Sequence, residues 1–297
     1  MQISANGLQI EVDIQGPAAG EPLLLIMGLG MQLIGWPDEL VQLLVDKGFR
    51  VIRHDNRDVG LSQGFDEFGV PNLVAAAVRQ RLRLPLRAPY QVADMAADAL
   101  GVLDALGVRR AHVCGASMGG MIAQHLAARH PGRVRSLSLV MTTSGARHLP
   151  QARLAVQRAL LSRPPAGDLA AYVAHTSRTL ALIGSPAYPP DPQRVQQRLL
   201  ASFRRAYRPA GTARQLMAVI ADGDRSALLR HIVAPTWVMH GAADPLVPVA
   251  AGHDLARKIG GAEIDIVPGM GHDLPLPLLP RAADGIAHIA ARSATTA

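Results

Sequence analysis

The sequence predicts an α/β fold in which a mostly parallel sheet is flanked by helices and interrupted by a helical insertion. Three observations predict it: apolar runs of strand length alternate with amphipathic runs of helix length, this rhythm stops in mid-chain, and it resumes before the end. Alternating strands and helices favour parallel pairing, which places the carboxyl ends of the strands along one edge of the sheet. Catalytic groups collect at that edge in such folds.

The first part of this alternation of strands and helices lies before residue 146. Residues on both sides of Asn6-Gly7 alternate in polarity and predict a β-hairpin, because this pair tolerates the positive φ angles of a tight turn. The elements predicted after it are strands at Leu23–Ile26, Arg50–His54, Ala111–Cys114 and Val134–Val140, and helices at Glu39–Lys47, Tyr90–Leu106 and Met118–His130.

The helical insertion is predicted at residues 146–230. This stretch is rich in Ala, Leu and Arg, carries no strand pattern, and is broken by the segments RPPAG and GSPAYPPDP. We therefore divide the chain into a core at residues 1–145, a cap at 146–230 and the rest of the core at 231–297. The elements predicted after the cap are strands at Thr236–His240 and Glu263–Val267, and helices at Val249–Ile259 and Leu278–Ala291.

Composition excludes several classes of protein. Of 297 residues, 49% are hydrophobic and 18% charged, which argues against disorder, and no apolar run is long enough to cross a bilayer. The net charge of +7 comes mostly from scattered Arg, and aromatic residues make up only 3%, so we expect no nucleic-acid partner. The N-terminus lacks a signal-peptide pattern and Cys114 is the single cysteine. We expect a cytoplasmic protein, monomeric or homodimeric, without a membrane partner.

The segment Gly115-Ala116-Ser117-Met118-Gly119 carries the strongest chemical signal. It is a G-x-S-x-G motif between a predicted strand and a predicted helix, the context in which a serine hydroxyl is exposed on a sharp turn. The Met118 N–H then lies at a helix N-terminus, where developing negative charge is stabilised. Cys114 precedes the turn inside a buried strand, so we interpret it as an inert apolar residue.

A catalytic serine needs a base, and the base needs an orienting acid. Asp244 follows a late predicted strand, and His272 follows the last one, so both fall at the edge of the sheet that carries Ser117. The chain order serine, acid, histidine is the order of α/β hydrolases. Asp222 and Asp224, near the end of the cap, remain alternative acids.

Gly28 and Gly30 also follow a strand and raise the possibility of dinucleotide binding. A dinucleotide fingerprint needs a third glycine at position 33, where this chain has Leu33. Asp55, in the stretch HDNRD, is the remaining candidate for the acidic residue of such a site.

Three motifs resemble the α/β-hydrolase superfamily: GASMGG, HGAADPLVP and GMGHDLP. The stretch from IMGLG to VGLS, at residues 26–62, is similar to the branch of this superfamily that includes aclacinomycin methylesterase. The resemblance extends over nearly the whole chain and is weakest in the cap. It implies an α/β-hydrolase fold with a helical cap and a serine carboxylesterase activity that needs no metal or organic cofactor.

The resemblance also implies that Asp55 and Arg57 belong to a structural loop, which we prefer to a dinucleotide site. It further implies an oxyanion hole formed by the backbone N–H groups of Leu29 and Met118. The superfamily commonly has His at the position of Met27, so one polar anchor of this loop is missing here. Methionine adapts to irregular shapes, so Met27 and Met31, together with Gly28, are candidate substrate contacts; core packing is the alternative.

The sequence therefore predicts hydrolysis of a small-molecule ester, with a methyl or short-chain group, through an acyl-enzyme on Ser117. Two alternatives remain. One is a related hydrolase with the same triad, such as a carbon–carbon bond hydrolase or a perhydrolase. The other is a non-catalytic ligand-binding protein on the same scaffold.

Overall fold

A computed structural model describes residues 1–82, 84–162 and 167–293. Within them, eight strands form one sheet in the order β1-β2-β4-β3-β5-β6-β7-β8. β1 pairs antiparallel with β2, β2 pairs antiparallel with β4, and every other neighbouring pair is parallel, so the predicted mostly parallel sheet is confirmed. The strands are β1 (Gln2–Ala5), β2 (Leu8–Gln15), β3 (Glu21–Ile26), β4 (Phe49–His54), β5 (Ala111–Ala116), β6 (Val134–Val140), β7 (Thr236–Gly241) and β8 (Glu263–Val267).

Helices connect the parallel strands, and five of those described lie in the chain segment between β6 and β7. None of the helices in the described ranges is both long enough and apolar enough to cross a membrane. The helices are α1 (Asp38–Asp46), α2 (Leu73–Arg81), α3 (Val92–Ala105), α4 (Met118–Arg129), α5 (Leu154–Leu161), α6 (Leu169–Ile183), α7 (Pro192–Arg205), α8 (Pro209–Asp222), α9 (Ser226–Leu229), α10 (Ala250–Lys258) and α11 (Leu279–Arg292).

Strand β3 shows how the sheet builds a core on both faces. Successive side chains of a strand point to opposite faces. Accordingly, Leu24 and Ile26 pack in one apolar cluster with residues of α3 and α4, whereas Leu23 and Leu25 pack in a second cluster with residues of α1 and α11. All four leucine and isoleucine side chains are fully buried, which is why this strand reads as a continuous apolar run.

The predicted elements agree closely with those of the structure, with one omission. The hairpin turns at Asn6 and Gly7, whose φ angles are +51° and +75°, as the predicted turn requires. Helix α2 is not predicted from the sequence. Among its residues 73–80, whose burial is described, it buries only Leu73 and Ala76 and exposes Val74 and Val78. It therefore lacks the apolar stripe by which an amphipathic helix is recognised.

The chain between β6 and β7 contains helices α5 to α9. Helix α6 packs on α5 and α7, whereas α8 packs on α2 and α3. The segment GSPAYPPDP separates α6 from α7, and four residues of the predicted break RPPAG, 163–166, lie outside the described residues. The division into a core and a cap at residues 146–230 stays a prediction.

A buried ion pair joins the loop after β4 to α3. The Asp98 carboxylate accepts hydrogen bonds of 2.6 Å from both Nε and Nη2 of Arg57, and one of 2.9 Å from Asn6 Nδ2. The guanidinium lies over the rings of Phe65 and Tyr90, at 5.2 and 5.1 Å from their centroids. This pair connects the N-terminal hairpin, α3 and the loop that borders the site described below.

We expect Asp98→Ala to lower the free energy of unfolding by about 3–5 kcal/mol, because it leaves the Arg57 charge buried without a partner. Asp104→Ala is the matched control on the same helix: Asp104 pairs with Arg133 at 2.6 Å, but its side chain is 58% exposed. An exposed pair contributes about 1 kcal/mol or less. Urea unfolding followed by circular dichroism measures both changes, and equal losses would contradict the proposed role of the buried pair.

Candidate active site

Ser117 lies on the sharp turn between β5 and α4, as predicted. Its φ angle is +54°, a conformation that is strained for a residue with a side chain. Two contacts with the end of β6 and the loop after it hold the turn: the Ser117 N–H donates to the Val140 carbonyl at 3.0 Å, and Thr142 Oγ1 donates to the Ser117 carbonyl at 2.7 Å. The hydroxyl therefore projects from the carboxyl edge of the sheet.

The two glycines of the motif are required by close backbone approach. A Cβ atom added to Gly115 would clash with the carbonyl of Gly119, and one added to Gly119 would clash with the carbonyl of Ile26. Neither carbonyl can move without moving a strand or a helix. The glycines thus allow α4 to begin directly against the ends of β5 and β3.

Asp244 and His272 meet Ser117 at this edge. Asp244 follows β7, and His272 follows β8. His272 Nε2 lies 2.9 Å from Ser117 Oγ, and His272 Nδ1 lies 2.7 Å from Asp244 Oδ2. The other Asp244 oxygen accepts the N–H groups of Leu246 and Val247 at 2.9 and 2.8 Å, which fixes the carboxylate. The arrangement can move a proton from the serine hydroxyl to the imidazole.

The alternative acids have other partners. Asp222 Oδ1 lies 2.8 Å from His125 Nε2, and its second oxygen pairs with Arg225. Asp224 accepts the Ser226 N–H at 2.8 Å. The carboxylate brought to His272 is that of Asp244.

Two side chains near the site, those of Cys114 and His240, are buried and have structural roles. The Cys114 thiol is completely buried, and this burial raises its pKa to about 12, so the reactive thiolate is scarce at neutral pH. His240 is also buried, with Nε2 at 2.8 Å from the Val247 carbonyl oxygen, and burial lowers its pKa. His240 therefore supports the Asp244 loop as a neutral ring.

The His272 loop is attached to the end of α6. The His272 N–H donates to the Ile183 carbonyl at 2.7 Å, and the Gly271 N–H donates to Ser185 Oγ at 2.8 Å. The Ser185 hydroxyl in turn donates to Asp273, whose pKa is raised by burial. A segment between β6 and β7 thus fixes the loop that carries the imidazole.

The loop after β3 lies against Ser117. A Cβ atom added to Gly28 would lie 3.2 Å from both the Ala116 carbonyl oxygen and the Ser117 Cβ. Met118 is the first residue of α4, so its N–H has no acceptor within the helix. The Leu29 N–H donates to no other group of the described residues. Two unused donors are therefore available beside the hydroxyl, and their assignment as an oxyanion hole stays a prediction.

The three candidate substrate contacts have different surroundings. Met27 is 6% exposed and packs in the apolar cluster beneath the site, whereas Met31 is 38% exposed. The methyl ends of both side chains converge on Gly35, since a Cβ added there would lie 3.0 Å from each. Gly28 lies against Ser117. Their roles in binding stay predictions.

A set of polar residues around this loop was missed by sequence reasoning. Asp55 Oδ1 accepts the Leu33 N–H at 2.6 Å, and Asp55 Oδ2 pairs with Arg205 of α7 at 2.7 Å. Asp55 thus has a structural role, as the family resemblance implies. The polar run HDNRD, which begins at the last residue of β4, is a signal for such a loop, whereas nothing in the sequence marks the partners in the later helices. The residues of this polar set that sequence reasoning missed are Gln32, Asn56, Arg205, Arg214 and Gln215.

Comparisons with known proteins agree with this geometry. Residues 21–276 match the family described as the α/β hydrolase fold. The chain is 30% identical over 282 residues to rhodomycin D methylesterase DauP of Streptomyces sp. (strain C5), covering 88% of each chain. It is also 30% identical over 281 residues to rhodomycin D methylesterase DnrP of Streptomyces peucetius, again covering 88% of each.

A solved structure shows the same fold. The chain superposes on a hydrolase from Pseudomonas aeruginosa with a TM-score of 0.69 at 26% identity, covering 97% of each chain. The predicted α/β-hydrolase fold, the predicted class of enzyme and the resemblance to methylesterases are therefore confirmed. The chain belongs to the α/β-hydrolase family.

Proposed function

We propose that the protein is a serine carboxylesterase that hydrolyses a methyl or short-chain ester of a small molecule through an acyl-enzyme. The observation that carries this proposal is the hydrogen-bonded series Ser117, His272 and Asp244, with distances of 2.9 and 2.7 Å. The preference for a methyl ester is supported by the two relatives that are named methylesterases.

In the first half-reaction, Ser117 Oγ attacks the ester carbonyl while His272 Nε2 takes the hydroxyl proton. Asp244 accepts the Nδ1–H of the imidazole and stabilises the imidazolium that forms. The tetrahedral oxyanion accepts hydrogen bonds from the N–H groups of Leu29 and Met118. When the intermediate collapses, the bond to the alcohol oxygen breaks, and His272 returns the proton to the leaving alcohol.

In the second half-reaction, water attacks the acyl carbon and His272 Nε2 takes a proton from it. The second tetrahedral intermediate uses the same two backbone donors. Its collapse breaks the bond to Ser117 Oγ, which recovers its proton from His272, and the carboxylic acid leaves. The substrate, the chain and water supply every atom and proton in these steps.

The cap at residues 146–230 is proposed to select the substrate, and Met27, Gly28 and Met31 to contact it. This proposal is supported by the position of Gly28 against Ser117 and by the contacts of α6 with the His272 loop. The cytoplasmic location and the monomeric or homodimeric state remain predictions from the sequence.

We expect Ser117→Ala to lower kcat for p-nitrophenyl butyrate by about 10⁴-fold or more, because the nucleophile is lost. A fluorophosphonate probe should label the wild-type protein and not this variant, as mass spectrometry of the intact protein would show. A wild-type protein that is inert to both reagents would favour a non-catalytic scaffold, and an unchanged kcat in the variant would refute the acyl-enzyme.

Asp244→Asn should lower kcat by about 10³–10⁴-fold, because an amide at this position favours the wrong imidazole tautomer. Asp222→Asn is the control, since the Asp222 side chain is only 7% exposed and likewise lies beside a histidine. We expect its kcat to stay within about threefold of wild type because its carboxylate is paired with His125 and Arg225 and not with His272. Steady-state kinetics at pH 8 compares them, and a larger loss in Asp222→Asn would reverse the assignment of the acid.

Substrate class is tested with a panel in which acyl and alcohol groups vary independently. We expect methyl and other short esters to have the highest kcat/KM, and Ser117→Ala to abolish each activity. Vinylogous diketones and hydrogen peroxide with a carboxylate donor serve as the competing substrates. Preferential turnover of either would favour the carbon–carbon bond hydrolase or perhydrolase alternative.

A further inference from the structure

The loop from Met27 to Leu33 is fixed at both ends but has few internal contacts. At its start, the Met27 carbonyl accepts a hydrogen bond of 2.9 Å from Asn56 Nδ2. At its end, the Leu33 N–H donates to Asp55. Within the loop, the Met31 N–H reaches the Gly28 carbonyl at 3.2 Å. On the C-terminal side of Leu29, whose N–H is the proposed oxyanion donor, the Gln32 side chain is held by groups of α7 and the residue after it. The support nearest to Leu29 acts on the Gly30 N–H.

Gln215 of helix α8 supplies that support. Its Oε1 accepts the N–H of Gly30 at 2.8 Å, and its Nε2 donates to the Arg57 carbonyl at 2.7 Å. The side chain is completely buried. Because one end of the amide must accept and the other must donate, the two contacts fix its orientation.

Helix α8 is itself seated firmly on this part of the molecule. A Cβ atom added to Gly211 would clash with the Asp58 carbonyl, so the helix backbone touches the loop after β4. One turn later, Arg214 donates to both Asp58 oxygens at 2.8 and 2.7 Å and is 1% exposed. Thr212 lies over Gly30, since a Cβ added there would be 2.7 Å from Thr212 Cγ2. Gln215 thus extends from a rigid base.

We propose that Gln215 is a positioning residue for the oxyanion hole: it fixes the Gly30 peptide and thereby aims the adjacent Leu29 N–H at the reacting oxygen. Together, Asn56 and Gln215 anchor the loop on the two sides of Leu29. They supply the polar support that is missing at position 27, where this chain has methionine. The inference rests on the proposed acyl-enzyme mechanism and adds a residue, distant in sequence, that acts through the loop.

Two substitutions separate this role from simple packing. Gln215→Met keeps the approximate volume and removes both hydrogen bonds. Gln215→Glu keeps the acceptor for Gly30, but as a carboxylate it loses the donor to the Arg57 carbonyl and places a charge beside the loop. When protonated, the same glutamic acid restores one donor and one acceptor. Burial favours the protonated form.

We expect Gln215→Met to lower kcat for p-nitrophenyl butyrate by about 10- to 100-fold, part of the loss seen when an oxyanion donor is removed, with KM changed by less than about threefold. Affinity for an alkylboronic acid, which forms a tetrahedral adduct on a serine oxygen, should fall by a similar factor. The activity of Gln215→Glu relative to wild type should rise as pH is lowered, whereas that of Gln215→Met should stay constant.

Gln124→Met is the matched control. Gln124 is also completely buried and also makes one acceptor and one donor contact, from Arg225 Nε at 2.9 Å and to the Thr143 carbonyl at 3.1 Å. Thermal unfolding of all variants measures the loss of stability. We expect Gln124→Met to lose stability without the loss of kcat and boronate affinity.

These experiments distinguish a failure of the Gln215 proposal from a failure of the proposed esterase function. If the wild-type protein shows neither a p-nitrophenol burst nor fluorophosphonate labelling, the proposed acyl-enzyme mechanism is wrong. If wild type forms the acyl-enzyme but kcat of Gln215→Met stays within twofold, or falls only in proportion to the folded fraction, the positioning role of Gln215 is wrong.

Discussion

The close backbone approach at the turn between β5 and α4 is the constraint on which the site depends. Ser117 can adopt its strained conformation only because Gly115 and Gly119 let the helix begin against two strand ends. That contact fixes the hydroxyl and the Met118 N–H in one rigid unit. Since the other parallel strands end at the same edge, the loops after them bring Asp244 and His272 to this unit.

Burial determines how these loops are held. A carboxylate removed from water is costly unless every oxygen finds a donor. Asp244 meets this requirement with two backbone N–H groups and the imidazole. Asp55 meets it with backbone N–H groups of two loop segments and with Arg205. The same hydrogen bonds that stabilise these charges therefore also fix the loops around the nucleophile.

Helices inserted between β6 and β7 contact the site from two sides. The end of α6 fixes the His272 loop through the Ile183 carbonyl, and α8 contacts the loop after β3 through Gln215. If the insertion selects the substrate, substrate binding and the alignment of the reacting groups are linked, because α6 and α8 would contribute to both. A change in this region would then alter both binding and catalysis.

Much of this protein was determined by the sequence alone, because the relevant signals are local: strand and helix periodicity, the G-x-S-x-G turn, and the placement of Asp244 and His272 after late strands. Helix α2 was not predicted, because it buries too few side chains to show an amphipathic pattern. The partnership of Gln215 with Gly30 spans 185 residues along the chain. A lone glutamine in a helix has no distinctive spacing, and its partners are backbone groups that every residue possesses. Only the tertiary structure, which decides how α8 packs on the two loops, brings them within hydrogen-bonding distance.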